Sequence, residues 1–223
     1  MADEEQGQAL LASIAAPWQA ALQEGWAAFR AGNPPVGAVI TGPDGAIVAA
    51  GRNRRRERDG SAGQLAGTSL AHAEVNACAQ LRPGRYRDYT LWATLEPCPL
   101  CSAAAMIIRC GEVRFLAADP MWRGAGRLPE LNQAVAARWP RFRGPESGWP
   151  ASWQTVLSVA YQASRGNAAS PAVTERATIA PHETQLGLDL ASDPAALRRL
   201  TARTLAGALS QMQPLPGWRA VHG

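Results

Sequence analysis

His72-Ala-Glu74 is followed by Pro97-Cys98-Pro-Leu-Cys101, and this order restricts the fold because it asks two separate segments to start side by side. If His72 opens a helix through 71–81, and the Cys-x-x-Cys pair opens a second one through 102–109, the imidazole and both sulfurs sit at helix N-termini. There the helix field, together with a metal, favours thiolate. Pro97 suits the approach, since a proline pushes the residue before it into extended geometry and so ends a strand. Zinc held by His72, Cys98 and Cys101 has three protein ligands, and a fourth tetrahedral position is left for water, as in catalytic zinc sites. Such zinc lowers the pKa of water from ~15.7 to about 7. Glu74, two residues past the histidine, is placed to move protons rather than to bind metal, which is the arrangement hydrolytic deamination needs.

Two other readings fit parts of the pattern. A Cys-x-x-Cys pair can be a redox couple, although a redox couple has no use for His72-x-Glu74 upstream. A closed structural site could recruit Cys78 or Cys110 as a fourth ligand. Cys78, however, shares a helical apolar stripe with Val75, Ala79 and Leu81, and Cys110 ends the second helix far from Cys98. Both read as small core residues.

The 223 residues suffice for one sizeable domain, or for a domain with an appendage, and 47% hydrophobic content supports a packed core. The acidic start, Met1-Ala-Asp-Glu-Glu-Gln, does not resemble a secretory signal, and no apolar run has the length of a membrane span. Four cysteines, at least two of them at metal-ligand spacing, fit a reducing, cytoplasmic setting. All 22 basic residues are arginine, so the net charge of +4 says little about nucleic acid. Their clustering says more. Arg52, Arg54, Arg55, Arg56 and Arg58 crowd one stretch, with a looser group at Arg138, Arg141 and Arg143. Each is a solvated loop or a phosphate-binding patch.

Periodicity predicts a helix over 8–30, with Leu10, Leu11, Ile14, Trp18, Leu22, Trp26 and Phe29 on one face. Strands at 36–40 and 47–51 flank Gly42-Pro-Asp-Gly45, a strong hairpin signal. A basic loop over 52–69 leads to the His72 helix, a strand at 90–94, the Cys98 helix and a strand at 113–117. Beyond these the pattern predicts a helix over 128–139, a short fifth strand at 141–143 and an amphipathic helix over 152–163. Residues 165–189 read as a linker or extended wrap. A final helix follows, capped by Ser192 or Asp193, with Pro194 in its first turn. The alternation of strands and helices implies a sheet covered on both faces.

Thr94-Leu-Glu-Pro-Cys-Pro-Leu-Cys101 with His72-Ala-Glu74, together with Pro35-Val-Gly-Ala38 and Asn53, resembles the cytidine deaminase superfamily, in its branch of tRNA adenosine deaminases and bacterial guanine deaminases. The resemblance spans about 8–164. It implies a three-layer α/β/α fold with a mixed sheet of about five strands, Zn2+ as cofactor and a homodimer. It makes 1–164 the deaminase domain and 165–223 a linker and C-terminal helical extension. It also implies a pocket in which Asn53 contacts the substrate ring and Pro35, Val36, Gly37 and Ala38 form the lining. Backbone near Ala73 and Cys98, beside Pro97, would orient the attacking oxygen. The loop between Asn53 and His72 is longer than a compact tRNA deaminase needs, and the extension is additional. Both can close over a small ring. The expected substrate is therefore a free nucleobase, nucleoside or related small amino-heterocycle, with the 52–58 loop as a gate or phosphate clamp. The alternative is a tRNA-specific adenosine deaminase, and a third reading is a zinc-stabilised binding subunit without catalysis. Retention of Glu74 argues against the last.

Overall fold

The computed structural model describes residues 2–60, 62–122 and 125–212. In chain order the elements are α1 (Ala2–Ala12), α2 (Ala16–Arg30), β1 (Gly37–Thr41), β2 (Ile47–Arg52), α3 (Ala73–Cys78), β3 (Thr90–Leu95), α4 (Pro99–Ile107) and β4 (Glu112–Ala117). Two 3-10 segments, Pro120–Trp122 and Ala125–Leu131, then lead to α5 (Gln133–Ala136), β5 (Arg141–Arg143) and α6 (Trp149–Ala163). Four helices end the described chain: α7 (Pro171–Ile179), α8 (Pro181–Ser192), α9 (Pro194–Thr201) and α10 (Leu205–Met212).

The sheet order is β2-β1-β3-β4-β5, antiparallel on either side of β1 and parallel from β3 to β5. This is the mixed five-stranded sheet that the resemblance implied. Strand alternation sends side chains to opposite faces. Ala38, Ile40, Leu91, Ala93, Val113 and Phe115 pack with α3 and α4 residues such as Ala73, Ala77 and Ala105. Val39 and Leu116 turn the other way, into a larger core with Trp18, Leu22 and Trp26 of α2 and Trp153, Val156 and Leu157 of α6. The result is three layers, α/β/α. Gly51 sets the spacing at the site: a Cβ there would overlap the Ala73 carbonyl and the Ala77 amide, so only glycine lets α3 lie this close to β2.

Several expected boundaries are corrected. The helix expected over 8–30 is two helices, since Pro17 cannot donate its backbone nitrogen and the chain restarts there as the first turn of α2. The helix expected over 128–139 shrinks to the four residues of α5. Pro129 holds the preceding turn in 3-10 form, and Asn132 caps the short helix by accepting from the Val135 amide at 3.0 Å. The stretch 165–189 is not a linker: it contains α7 and α8. Pro171 and Pro181 stand in the first turns of these helices, where a missing N–H costs nothing, so they start helices rather than break them. Asp193 caps α9 through Ala195 and Ala196 at 2.9 Å each, and Ser192 does not. The single final helix is likewise two, α9 and α10. Residues 213–223 of the expected extension lie outside the described residues.

Helices α7–α10 fold back onto the rest of the chain. Leu186, Leu200, Leu205, Leu209 and Met212 join the α2/α6 core. Trp26 Nε1 donates to the Arg203 carbonyl at 3.2 Å, Arg30 Nε to Thr201 at 2.9 Å, and the Thr204 hydroxyl to Glu4 at 2.6 Å. Among the described residues no helix is long and apolar enough to cross a membrane.

Candidate active site

His72 and Cys98 are the N-cap residues of α3 and α4, both in extended backbone geometry, which turns their side chains toward each other across the end of the sheet. Cys101 sits one turn into α4 and is fully buried. His72 Nδ1 lies 3.7 Å from Cys98 Sγ and 3.4 Å from Cys101 Sγ, and the sulfurs are 3.6 Å apart. With zinc bonds of ~2.3 Å to sulfur and ~2.0–2.1 Å to nitrogen, a tetrahedron has edges of about 3.8 Å between sulfurs and about 3.6 Å between nitrogen and sulfur. The three donors therefore fit a zinc ion as they stand. Among the described residues they form the group of His, Cys, Asp and Glu atoms close enough to hold a metal.

The thiol chemistry agrees. Its hydrogen bonds from Cys101 and His72 hold Cys98 down at about 4, while that same bond and burial push Cys101 well up, so the pair carries one thiolate before any metal displaces the second proton. The Cys98 hydrogen bond pushes His72 up. Cys78 and Cys110 are different: burial pushes Cys78 to about 12, and Cys110 is turned to the Tyr89 and Glu112 carbonyls at 3.3 and 3.2 Å. Neither belongs to the metal group, and both sit in the core.

Glu74 is in the first turn of α3, 4% exposed, with its carboxyl pushed up by burial against the lowering effect of His72. It lines a cavity of about 210 Å³ together with His72, Cys98, Pro35, Val36 and Asn53. Asn53 is fixed by its amide donating to the Val36 carbonyl at 3.0 Å, and its Oδ1 accepts from the Arg55 amide at 3.2 Å. Gly37, Ala38, Ala73 and Pro97 stand behind the cavity rather than on its wall. Ala38 and Ala73 are packed in the core, Gly37 lies under α2, and the Pro97 carbonyl accepts from the Ser102 hydroxyl at 3.2 Å.

The rest of the wall comes from Glu96, a motif residue with no role assigned from sequence, and from residues outside the motif: Asp119, Met121 and Trp122 after β4, Ser158, Tyr161 and Gln162 on α6, and Ala172 and Arg176 on α7. Arg176 pairs with Asp119 at 3.0 Å and is 3% exposed. A buried arginine in a stretch read as linker gave no local signal. Its one clue was Pro171, which marks a helix start.

The 52–58 arginines divide in two. Glu57 pairs with Arg52 at 2.9 Å and Arg54 at 2.7 Å, and accepts from Asn33 at 3.1 Å, so these two guanidinia are structural. Arg55 lines the cavity over Glu74 and, with Arg56, Arg165, Thr68, Ser69 and Asn167, a second cavity of about 440 Å³ that shares the Arg55, Tyr161 and Gln162 wall.

A three-ligand zinc centre beside a buried carboxyl, held at two helix N-termini under a mixed sheet, defines a zinc-binding deaminase-like site. Residues 14–117 match the family model for the cytidine and deoxycytidylate deaminase zinc-binding region. A tRNA-specific adenosine deaminase of Bacillus subtilis is 36% identical over 117 residues, 51% of this chain and 67% of that protein. A tRNA(Ile)-lysidine synthase of Deinococcus radiodurans is 38% identical over 109 residues, 47% of this chain, which spans only 17% of that protein. In fold, the chain is similar to the guanine deaminase of Nitrosomonas europaea, with a TM-score of 0.50 at 23% identity over 67% of this chain and 86% of that one. The chain belongs to the cytidine deaminase family and binds zinc through its cytidine-deaminase-type region.

Proposed function

We propose that the chain is a hydrolytic deaminase that replaces the exocyclic amine of a free nucleobase, nucleoside or related small amino-heterocycle with oxygen from water and releases ammonia. The observation that carries this reading is a single small cavity in which Glu74 and Asn53 stand beside the zinc ligands. Zinc held by His72, Cys98 and Cys101 supplies Lewis acidity that brings water near a neutral pKa. Glu74 takes one proton from the attacking water and gives it to the ring nitrogen next to the reacting carbon. It then carries the proton of the newly added hydroxyl to the amine, so that the C–N bond breaks, the carbonyl forms and ammonia leaves. Asn53 holds the ring in register. Leu95, Met121 and Trp122 give the cavity apolar walls.

Residues 1–164 form the deaminase domain in this reading. The extension from 165 completes its core and the far wall of its pocket through α7. That closure favours a small ring, because a polynucleotide needs an open approach to splay a base into the site. Solvent-exposed Leu100 and Ile107, seven residues apart on α4, offer apolar surface for the homodimer that the resemblance implies. The four free cysteines fit a cytoplasmic setting.

The second reading, deamination of adenosine in tRNA, is favoured by the name of the Bacillus relative and by the arginine-lined cavity next to the pocket. The two separate on one assay of ammonia release from free bases, nucleosides and unmodified tRNA at rising salt. Turnover of a free base or nucleoside that changes little with salt is the expected result. Turnover confined to tRNA and falling steeply with salt, as loss of phosphate contacts dictates, would replace the first reading by the second.

A further inference from the structure

We propose that Arg176, delivered by α7 from beyond the matched deaminase region, is a specificity-determining residue that, with Asp119, reads a ring lactam (an adjacent N–H and carbonyl) on the substrate. The inference rests on the deaminase reading and names the class of ring that the same pocket takes.

Arg176 is 3% exposed, yet it lines the same cavity as His72, Glu74 and Cys98. A guanidinium has five N–H donors. Nη2 pairs with Asp119 Oδ1 at 3.0 Å, and among the described residues the buried Nε has no hydrogen-bond partner. A buried cation with a single acceptor is costly, and a ring bound in the cavity that Arg176 lines is placed to supply a second one. Ala172, one turn earlier, lines the cavity too, so α7 presents a continuous face to it.

The pair also limits what the acceptor is. Asp119 already balances the arginine charge, so a phosphate dianion would meet a carboxylate next to its cation, whereas a neutral carbonyl meets no repulsion. Asp119 is held in place by its amide donating to Glu96 at 3.0 Å and by Oδ1 accepting from Met121 at 3.3 Å. A carboxylate acceptor beside a guanidinium donor matches the N–H and C=O of a lactam edge. Arginine donating to a ring carbonyl is the same contact that selects guanine in base recognition. Adenine-type rings lack this carbonyl and would leave the guanidinium without its second acceptor, a situation that sites built around a polar contact discriminate strongly.

Two substrate pairs differ by the ring carbonyl while keeping the reacting amine: guanine with 2-aminopurine, and cytosine with 4-aminopyrimidine. The zinc-loaded enzyme is expected to favour the carbonyl member of at least one pair by roughly a hundredfold in kcat/KM. Arg176→Ala alone strands the Asp119 carboxylate in the interior and threatens the fold, so the informative variant is Arg176→Met with Asp119→Asn, checked for circular dichroism and zinc content. In it the preference is expected to collapse toward unity, mainly through loss of the carbonyl substrate. An unchanged preference in a folded, zinc-loaded double variant would overturn the proposal, as would wild-type turnover of adenine or adenosine without guanine or cytosine. If the wild type turns over no heterocycle, the deaminase reading fails first. Displacement of fluorescent 2-aminopurine by guanine then tests Arg176 alone: tighter guanine binding that the double variant loses supports it, and equal binding in both proteins sinks it.

Discussion

Glu74→Gln is expected to keep one zinc per chain and the native fold while turnover falls by ~10²–10⁴-fold, the usual contribution of a positioned proton-transfer group. Glutamine has the shape of the glutamate and fills the same buried place in the first turn of α3. Glu74 is outside the three-atom metal group, so the amide leaves the zinc donors intact. What it cannot do is carry a proton from water to the ring. Zinc analysis beside steady-state ammonia release reads the two consequences separately. Turnover close to wild type would remove the proton shuttle from the account, and loss of zinc would make Glu74 part of the metal site.

Leu209→Ala tests the extension. Leu209 is 0% exposed and packs in the core shared by α2, α6 and α10. Emptying a fully buried leucine site costs about 2–5 kcal/mol. For a chain of this size that lowers Tm by roughly 4–20 °C, at 2–4 °C per kcal/mol. The effect is large against a typical net stability of about 5–15 kcal/mol. Leu209 does not line the zinc cavity, so kcat of the folded variant at low temperature should stay near wild type. A Tm shift under about 2 °C would mean that α10 contributes little to the core, and the role of the extension in closing the pocket would weaken with it.

The sequence made the metal site legible because its signal is local. His72 and Cys98 each cap a helix, and the Cys-x-x-Cys spacing puts Cys101 one turn further on. The hairpin was legible for the same reason: Gly45 takes φ of +79°, and Asp44 Oδ1 accepts from the Ala46 amide at 3.0 Å, as the Gly-Pro-Asp-Gly turn requires. What escaped depends on partners far along the chain. Residues 165–189 read as a linker because nothing local shows that α8 will find α6, where Gly187 is packed so tightly on Val159 that a Cβ would clash. The arginine cluster at 52–58 looked uniform, although Glu57 in its middle ties down Arg52 and Arg54 and leaves Arg55 and Arg56 to face the cavities. Arg176 was invisible for the same reason, since its importance exists only where α7 meets Asp119.

The central claim is that zinc on His72, Cys98 and Cys101, with Glu74 beside it, deaminates a small amino-heterocycle. It is tested most directly by stripping the metal with a chelator, titrating zinc back, and following ammonia release from guanine, adenine, cytosine and their nucleosides. The account predicts no release from the stripped protein and recovery that saturates at one zinc per chain. Full activity without zinc, or a protein with one zinc per chain that releases ammonia from none of these compounds, would contradict it.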